Sequence, residues 1–320
     1  MAVFTPLSDT QVADFLERYD IGKLVMLEDV ASGTENSTFF VTTDRASLVL
    51  TLFEQGEHDE LPFFVELLDY LAEHHLPVPG PVHDRQGVAL QSLADKPALL
   101  FPRLPGKHPK APNLIQCGAL GDALGRMHSV SQRFGGHRPN PRDLDWLRTA
   151  HHRVLPYLSP ADQRLMSDEI DAYRSAFGRC DELPQGAIHG DLFRDNTLFD
   201  GDTLGGLIDF YNGCTGDLLF DLAIAINDWA INADGSLNRE RHDALIGAYL
   251  AQRPLTPNER ECWPMMLRMT ALRYWLSRLL VVHVDPPAHE LTPHDPEQFR
   301  TILIQRIEQG ALMLPPRSPA

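Results

Sequence analysis

The densest group of chemically capable side chains lies in residues 188–199, Ile188-His189-Gly190-Asp191-Leu192-Phe193-Arg194-Asp195-Asn196-Thr197-Leu198-Phe199. Asp191 and Asn196 stand five residues apart between two short apolar runs. Asp209 follows in Ile208-Asp209-Phe210, again an acid behind a short apolar run. Phosphoryl transfer needs such parts: one carboxylate to accept the proton of an attacking hydroxyl, and two oxygen-bearing side chains to hold Mg²⁺ against nucleotide phosphates. Mg²⁺ prefers hard oxygen ligands, keeps several waters and takes only one or two side chains. Asp191, Asn196 and Asp209 supply that inventory. The plainer reading is a polar loop whose Asp and Asn serve turn formation. The offset to Asp209 and the order of the surrounding elements weigh against it.

A loop of this kind needs a scaffold, and the hydrophobic pattern describes one. Ser8-Asp9-Thr10-Gln11 fits a capping box, and Val12, Phe15, Leu16 and Tyr19 then recur at helical spacing. Residues 23–30, 37–43 and 47–53 read as strands, 60–75 as a helix closed by Pro77, Pro79, Gly80 and Pro81, and 88–93 and 98–104 as two further strands. The expectation is a five-stranded, mainly antiparallel sheet with an inserted helix. Residues 102–112, with four prolines, read as a connection. Beyond it helices are expected at 113–131, 143–157, 160–177, 217–231, 238–251, 257–283 and 296–312, with a small β element at 187–210. The fold class is therefore α+β, with a β-rich lobe over 1–104 and a helical lobe over 105–320. The tail 315–320 is expected to be disordered.

Composition narrows the partners. The 320 residues carry 28 Lys plus Arg against 44 Asp plus Glu, a formal net charge of −16. Such an acidic chain is ill suited to a phosphate backbone or an anionic membrane, so neither nucleic acid nor membrane is expected as a partner. No apolar run approaches the roughly 20 residues of a bilayer span, and the start lacks the pattern of a signal peptide. A cytoplasmic protein is the expectation. Cys117, Cys180, Cys214 and Cys262 form no C-x-x-C pair, and reduced buried thiols are expected. The histidine pairs His74-His75 and His151-His152 carry no metal-ligand pattern. Oligomeric state is not legible.

The run His-Gly-Asp-Leu-Phe-Arg-Asp-Asn, followed by Ile-Asp-Phe, resembles the catalytic and metal loops of the aminoglycoside phosphotransferase/choline kinase superfamily, small-molecule relatives of the protein kinases. Residues 213–223, with Gly216-Asp217 and Asp221, resemble its next motif. Residues 32–41, 48–54, 60–64 and 271–279 resemble the homoserine kinase branch in particular. The resemblance implies a two-lobed, protein-kinase-like fold, the cofactors ATP and Mg²⁺, and a small-molecule substrate, L-homoserine, phosphorylated on its side-chain hydroxyl in threonine synthesis. It implies that Asp191 is the catalytic base and that Asn196 and Asp209 are the metal ligands. His189 and Asp221 then stiffen the loop, Asp221 as a buried acid accepting backbone N–H bonds. Arg194 either touches the transferring phosphate or the substrate, or pairs with a surface acid. Residues 32–37, with Gly33, Thr34 and Asn36, cover the nucleotide phosphates, and the strap with Phe101 and Arg103 meets the adenine.

One departure stands out. Protein kinases place a Lys on the third strand, whereas here that strand reads Leu48-Val49-Leu50-Thr51-Leu52, and no Lys lies between residues 24 and 95. Thr51 offers a hydrogen bond but no charge; Arg45, Arg194 or Mg²⁺ are the candidate replacements. For the acceptor, a hydroxy amino acid brings a carboxylate best met by forked Arg. Arg273 or Arg278 is the candidate clamp, with Trp275 shaping the pocket; the competing reading gives these arginines to surface acids and the aromatics to the core. Choline, an aminoglycoside or methylthioribose as acceptor, or a non-catalytic nucleotide-binding module, remain open.

Overall fold

The computed structural model describes residues 4–30, 36–54, 58–177, 183–286, 293–309 and 314. The chain divides into two compact units, Met1–Gly106 with Gly205–Ile208, and Lys107–Leu204 with Asp209–Ala320. The sequence reading had not anticipated that residues 205–208 belong with the first.

In the first unit the Ser8–Gln11 capping box forms and starts α1 (Asp9–Leu16). β1 (Leu24–Asp29), β2 (Ser37–Thr43) and β3 (Ser47–Leu52) follow, then α2 (Leu61–Glu73), β4 (Gln91–Leu93) and β5 (Lys96–Pro102). The strands form one antiparallel sheet in the order β1-β2-β3-β5-β4. Strand alternation decides its faces. Phe39, Val41, Leu48, Leu50, Leu52, Ala98 and Leu100 form a core with Val12, Phe15, Leu16 and Tyr19. Thr38, Phe40, Val49, Thr51, Leu99 and Phe101 alternate to the other face. The last hairpin is tighter than expected from sequence. Ala94 and Asp95 take left-handed φ values of 53° and 60°, so a two-residue turn suffices and β5 starts at Lys96.

The second unit carries α3 (Leu114–Ser131), α4 (Leu144–Val154), α5 (Pro160–Phe177), β6 (Gln185–Ile188), β7 (Thr197–Asp200), β8 (Thr203–Leu207, whose later residues join the first unit) and β9 (Cys214–Asp217). α6 (Leu218–Trp229), α7 (Arg239–Gln252), α8 (Pro257–His283) and α9 (Pro296–Glu308) complete it. β6 pairs antiparallel with β9, which brings the loop after β6 beside the turn before β9. α3 packs closely on α7: a Cβ on Gly125 would lie 2.8 Å from the Tyr249 carbonyl oxygen, so only glycine allows that approach. The cysteines depart in part from the reduced state expected. Cys117 and Cys214 are free and buried, whereas Cys262, in α8, is disulfide-bonded. Cys180 and the tail 315–320 lie outside the described residues. No helix among the described residues is long and apolar enough to cross a membrane.

Candidate active site

The site is built on the loop that leaves β6. Gly190 sits at φ 75°, and a Cβ there would come within 2.6 Å of the Asn212 carbonyl oxygen. Glycine thus lets residues 189–191 press against the turn Phe210–Asn212, and the His189 ring lies 4.4 Å from that of Phe210. Asp221, in the first turn of α6 and fully buried, accepts hydrogen bonds from the backbone N–H of His189 (2.8 Å) and Gly190 (2.9 Å).

Asp221 is the end of a longer chain. Its Oδ2 lies 3.2 Å from Nε2 of His128, Nδ1 of His128 lies 2.8 Å from the Tyr249 hydroxyl, and Arg253 donates to that hydroxyl (2.8 Å) and to Glu259 (2.8 Å). All five side chains are buried. The ends set the direction, since a guanidinium only donates and a carboxylate only accepts. Arg253 therefore donates to Tyr249, Tyr249 to Nδ1 of His128, and Nε2–H of His128 to Asp221, which keeps His128 neutral. The titration directions agree. Burial pushes the His128 pKa below its ordinary value against the pull of Asp221. Burial acts to raise the Asp221 pKa, but the bonds from His128 and the His189 backbone outweigh it and hold it low.

Asp191 projects from this fixed loop, its side chain 22% exposed. Tyr274 of α8 donates to its Oδ1 (2.8 Å). The amides of Asn196 and Asn212 lie 3.3 and 3.4 Å from its Oδ2. Asn196 ends a 3-10 turn (Arg194–Asn196), and its Nδ2 donates to the Asp191 carbonyl (2.7 Å). The amide nitrogen is committed to that bond, so Oδ1 is its oxygen for a cation. Asp209 is exposed and left-handed (φ 64°, ψ 62°) at the head of the Phe210–Asn212 turn. Phe210 and Asn212, which contact His189 and Asp191, tie this turn to the Asp191 loop.

Arg194 has a structural partner. Its Nε and Nη2 bond both oxygens of Asp228 at 3.0 Å, and its backbone N–H donates to the same carboxylate (2.8 Å). Its Nη1 donates to the Lys110 carbonyl. Of the two readings for Arg194, pairing with an acid is the one the geometry presents. That acid is a buried one, Asp228, and its burial raises the carboxyl pKa although Arg194 pulls the other way.

The α8 candidates separate. Trp275 is 1% exposed and packs in the core. Arg278 donates to the Asp295 carbonyl and the Gln298 side chain (both 2.8 Å) and lies over the Phe299 ring; it links α8 to the start of α9. Arg273 alone reaches Asp191. Its Nη1 is 3.9 Å from Asp191 Oδ1, it is 4% exposed, and its Nε has no hydrogen-bond partner among the described residues. Its guanidinium carbon stands 4.0 Å from the Tyr274 ring centre. Sequence reasoning gave Tyr274 no role. Adjacent helix positions point about 100° apart; Tyr274 reaches Asp191 whereas Trp275 turns into the core, and nothing local in the sequence says which of the two does so.

In the first unit, Thr51 pairs across from Thr38 and Leu99, and Phe101 across from Val49. The Arg103 guanidinium lies 3.7 Å over the Phe40 ring, and Asn36 accepts the Glu54 backbone N–H (3.4 Å). Gly33 and Thr34 lie outside the described residues. Lys96, the first lysine after the lysine-free stretch, is paired to Glu54 (2.9 Å), and Arg45 to Asp20.

The comparisons with known proteins agree with one another. The phosphotransferase enzyme family matches residues 27–255. Homoserine kinases from Pseudomonas aeruginosa (44% identical over 306 residues, 96% of each chain) and Cupriavidus metallidurans (42% over 325 residues, 98% of this chain and 99% of that one) are similar over nearly the full length. Among solved structures, an amicoumacin kinase in complex with AMP-PNP, Ca²⁺ and Ami (TM-score 0.69, 16% identity, 94% of this chain and 93% of that one) shares the fold. So does a microcompartment-associated aminopropanol kinase (TM-score 0.64, 20% identity, 94% of each chain). The two-lobed, kinase-like α+β class expected from sequence is the class of these neighbours, and the chain belongs to the phosphotransferase enzyme family and, within it, to the homoserine kinases.

Proposed function

We propose that the protein transfers the terminal phosphate of ATP to the side-chain hydroxyl of L-homoserine, giving O-phospho-L-homoserine. The observation that carries the choice of acceptor is the buried Arg273 guanidinium 3.9 Å from the Asp191 carboxylate. A buried cation with unused N–H groups favours an acceptor that brings an anion. It disfavours choline and aminoglycosides, whose positive charges it repels. Two anchoring groups this close also suit a short molecule, since each hydrogen bond reaches only about 3 Å.

In this reading Asp191 orients the hydroxyl and accepts its proton, and Arg273 holds the substrate carboxylate. His189 and Asp221 fix the loop, and Arg194, through Asp228, fixes its far end. Asn196 and Asp209 hold Mg²⁺; one amide and one carboxylate oxygen suit an ion that shares its shell with water and phosphates. When bound, that ion neutralises charge developing between the β- and γ-phosphates. In the same reading the β-rich unit, expected over 1–104, binds the nucleotide, with Thr51, Asn36, Phe101 and Arg103 as its candidate contacts among the described residues, beside the candidates Gly33 and Thr34, which lie outside them. Lys96, Arg45 and Arg194 each have an acid partner, which favours the metal ion in the part of the absent strand lysine.

ADP release measured with Mg-ATP across homoserine, choline, an aminoglycoside and no acceptor tests this reading. Selective turnover of homoserine is expected; turnover only of another acceptor, or of none despite ATP binding, overturns it. Arg273→Met is expected to raise the homoserine KM roughly ten- to a hundredfold, the worth of a charged hydrogen bond, with the KM for ATP unchanged. An unaltered homoserine KM removes Arg273 as the clamp.

A further inference from the structure

Two groups assigned above, the base and the clamp, share one neighbour. The Tyr274 hydroxyl is 2.8 Å from Asp191 Oδ1 and 3.0 Å from the Gly190 carbonyl oxygen. Its one proton goes to the better acceptor, the charged carboxylate. The face of the same ring carries the Arg273 guanidinium at 4.0 Å. The ring is itself wedged, edge-on to Phe193 (4.5 Å between centroids) and tilted against Phe299 (5.2 Å). Phe193 belongs to the catalytic loop and Phe299 to α9.

We propose that Tyr274 is a positioning residue that sets base and clamp with separate parts of one side chain, the hydroxyl orienting Asp191 and the ring seating Arg273. This inference rests on the reading of Asp191 and Arg273 given above. The division of labour follows from the interactions. A hydroxyl bond to Oδ1 fixes the carboxylate plane and leaves Oδ2, which among the described residues has only two long amide contacts, for the substrate hydroxyl. A cation held on a ring face is attracted through the π-cloud, so the guanidinium is seated without using its N–H donors. Those donors stay available to a carboxylate. At 3.9 Å the Asp191 carboxylate is within ion-pair range of Arg273 but too far to take up those donors as hydrogen bonds, whereas Asp228 takes up two of the side-chain donors of Arg194. Burial, aided by Asp191 and opposed by Arg273, keeps the phenol protonated by raising its pKa well above the ordinary value.

The two parts can be removed separately in the full-length enzyme. Tyr274→Phe deletes the hydroxyl and keeps the ring. Pentafluorophenylalanine at position 274 also deletes the hydroxyl, and replaces the negative ring face by a positive one at nearly the same shape. Tyr274→Phe is expected to lower kcat roughly ten- to a hundredfold with both KM values and the thermal midpoint unchanged. The fluorinated variant is expected to share that kcat loss and to raise the homoserine KM a further two- to thirtyfold or so over Tyr274→Phe. A kcat within about twofold of wild type in Tyr274→Phe, or equal homoserine KM values in the two variants, overturns the proposal. A fall in kcat matched by the fraction of unfolded protein overturns it too, since that is a purely structural role. These outcomes are distinct from failure of the functional reading, which shows in the wild-type enzyme as absence of homoserine turnover.

Discussion

Asp191→Asn is expected to lower the turnover of homoserine by roughly 10²–10⁴-fold, the usual contribution of a positioned general base, with ATP affinity largely unchanged. The substitution is nearly isosteric, and the carboxamide oxygen can still accept from Tyr274 in place of Oδ1. The bond from Asn196 to the backbone carbonyl of residue 191 does not depend on the side chain. What is lost is the capacity to take a proton. Rapid-quench measurement of phosphate transfer, paired with calorimetric titration of ATP, separates the two quantities. Undiminished transfer would falsify the assignment of Asp191 as the base. Loss of ATP binding in parallel would instead show that the substitution had disturbed more than proton transfer.

Asp221→Ala is expected to be the most damaging single change away from the reacting groups. It leaves the N–H groups of His189 and Gly190 and the Nε2–H of His128 without their acceptor. These lie in a buried region, where an unmet donor costs about 1–3 kcal/mol. Three such donors lose their acceptor at once, which puts the loss at roughly 3–5 kcal/mol or more. Unfolding free energy, read from denaturant titration, should fall by about that amount, and turnover should collapse because the Asp191 loop loses its anchor. Full stability with full activity would show that α6 does not hold the loop. The pH dependence has a definite sign. The folded-state pKa of Asp221 is held below its ordinary value, so this stabilisation is fully present above the unfolded carboxylate pKa of about 4 and is lost as pH falls through the lower, folded value. In Asp221→Ala the acid limb of the stability profile should be correspondingly shallower.

The five-residue spacing of Asp191 and Asn196 and the offset to Asp209 were legible because they are local. One short turn after β6 places the first two, and the next hairpin delivers the third. The same holds for the capping box of α1 and the alternating residues of β2, whose backbone periodicity selects a buried face without reference to the rest of the molecule. The hairpin before β5 was misjudged by two residues, since nothing in Ala94-Asp95 signals that both take left-handed φ.

Partner choice was a different matter. Arg194 offered equal cases for phosphate and for an acid until α6 brought Asp228, 34 residues on, within reach of all but one of its donors. Arg273, Trp275 and Arg278 were all candidates for the acceptor site from sequence, yet one sits by Asp191, one in the core and one against α9. Tyr274 meets Asp191 across 83 residues, and His128 meets Asp221 across 93. A buried polar group must find a partner, but many residues along a chain could serve. Sequence alone showed which side chains have the chemistry that phosphoryl transfer asks for; only tertiary packing decided which arginine, which tyrosine and which buried acid stand beside them, because that choice depends on how whole helices press together and not on any spacing along one of them.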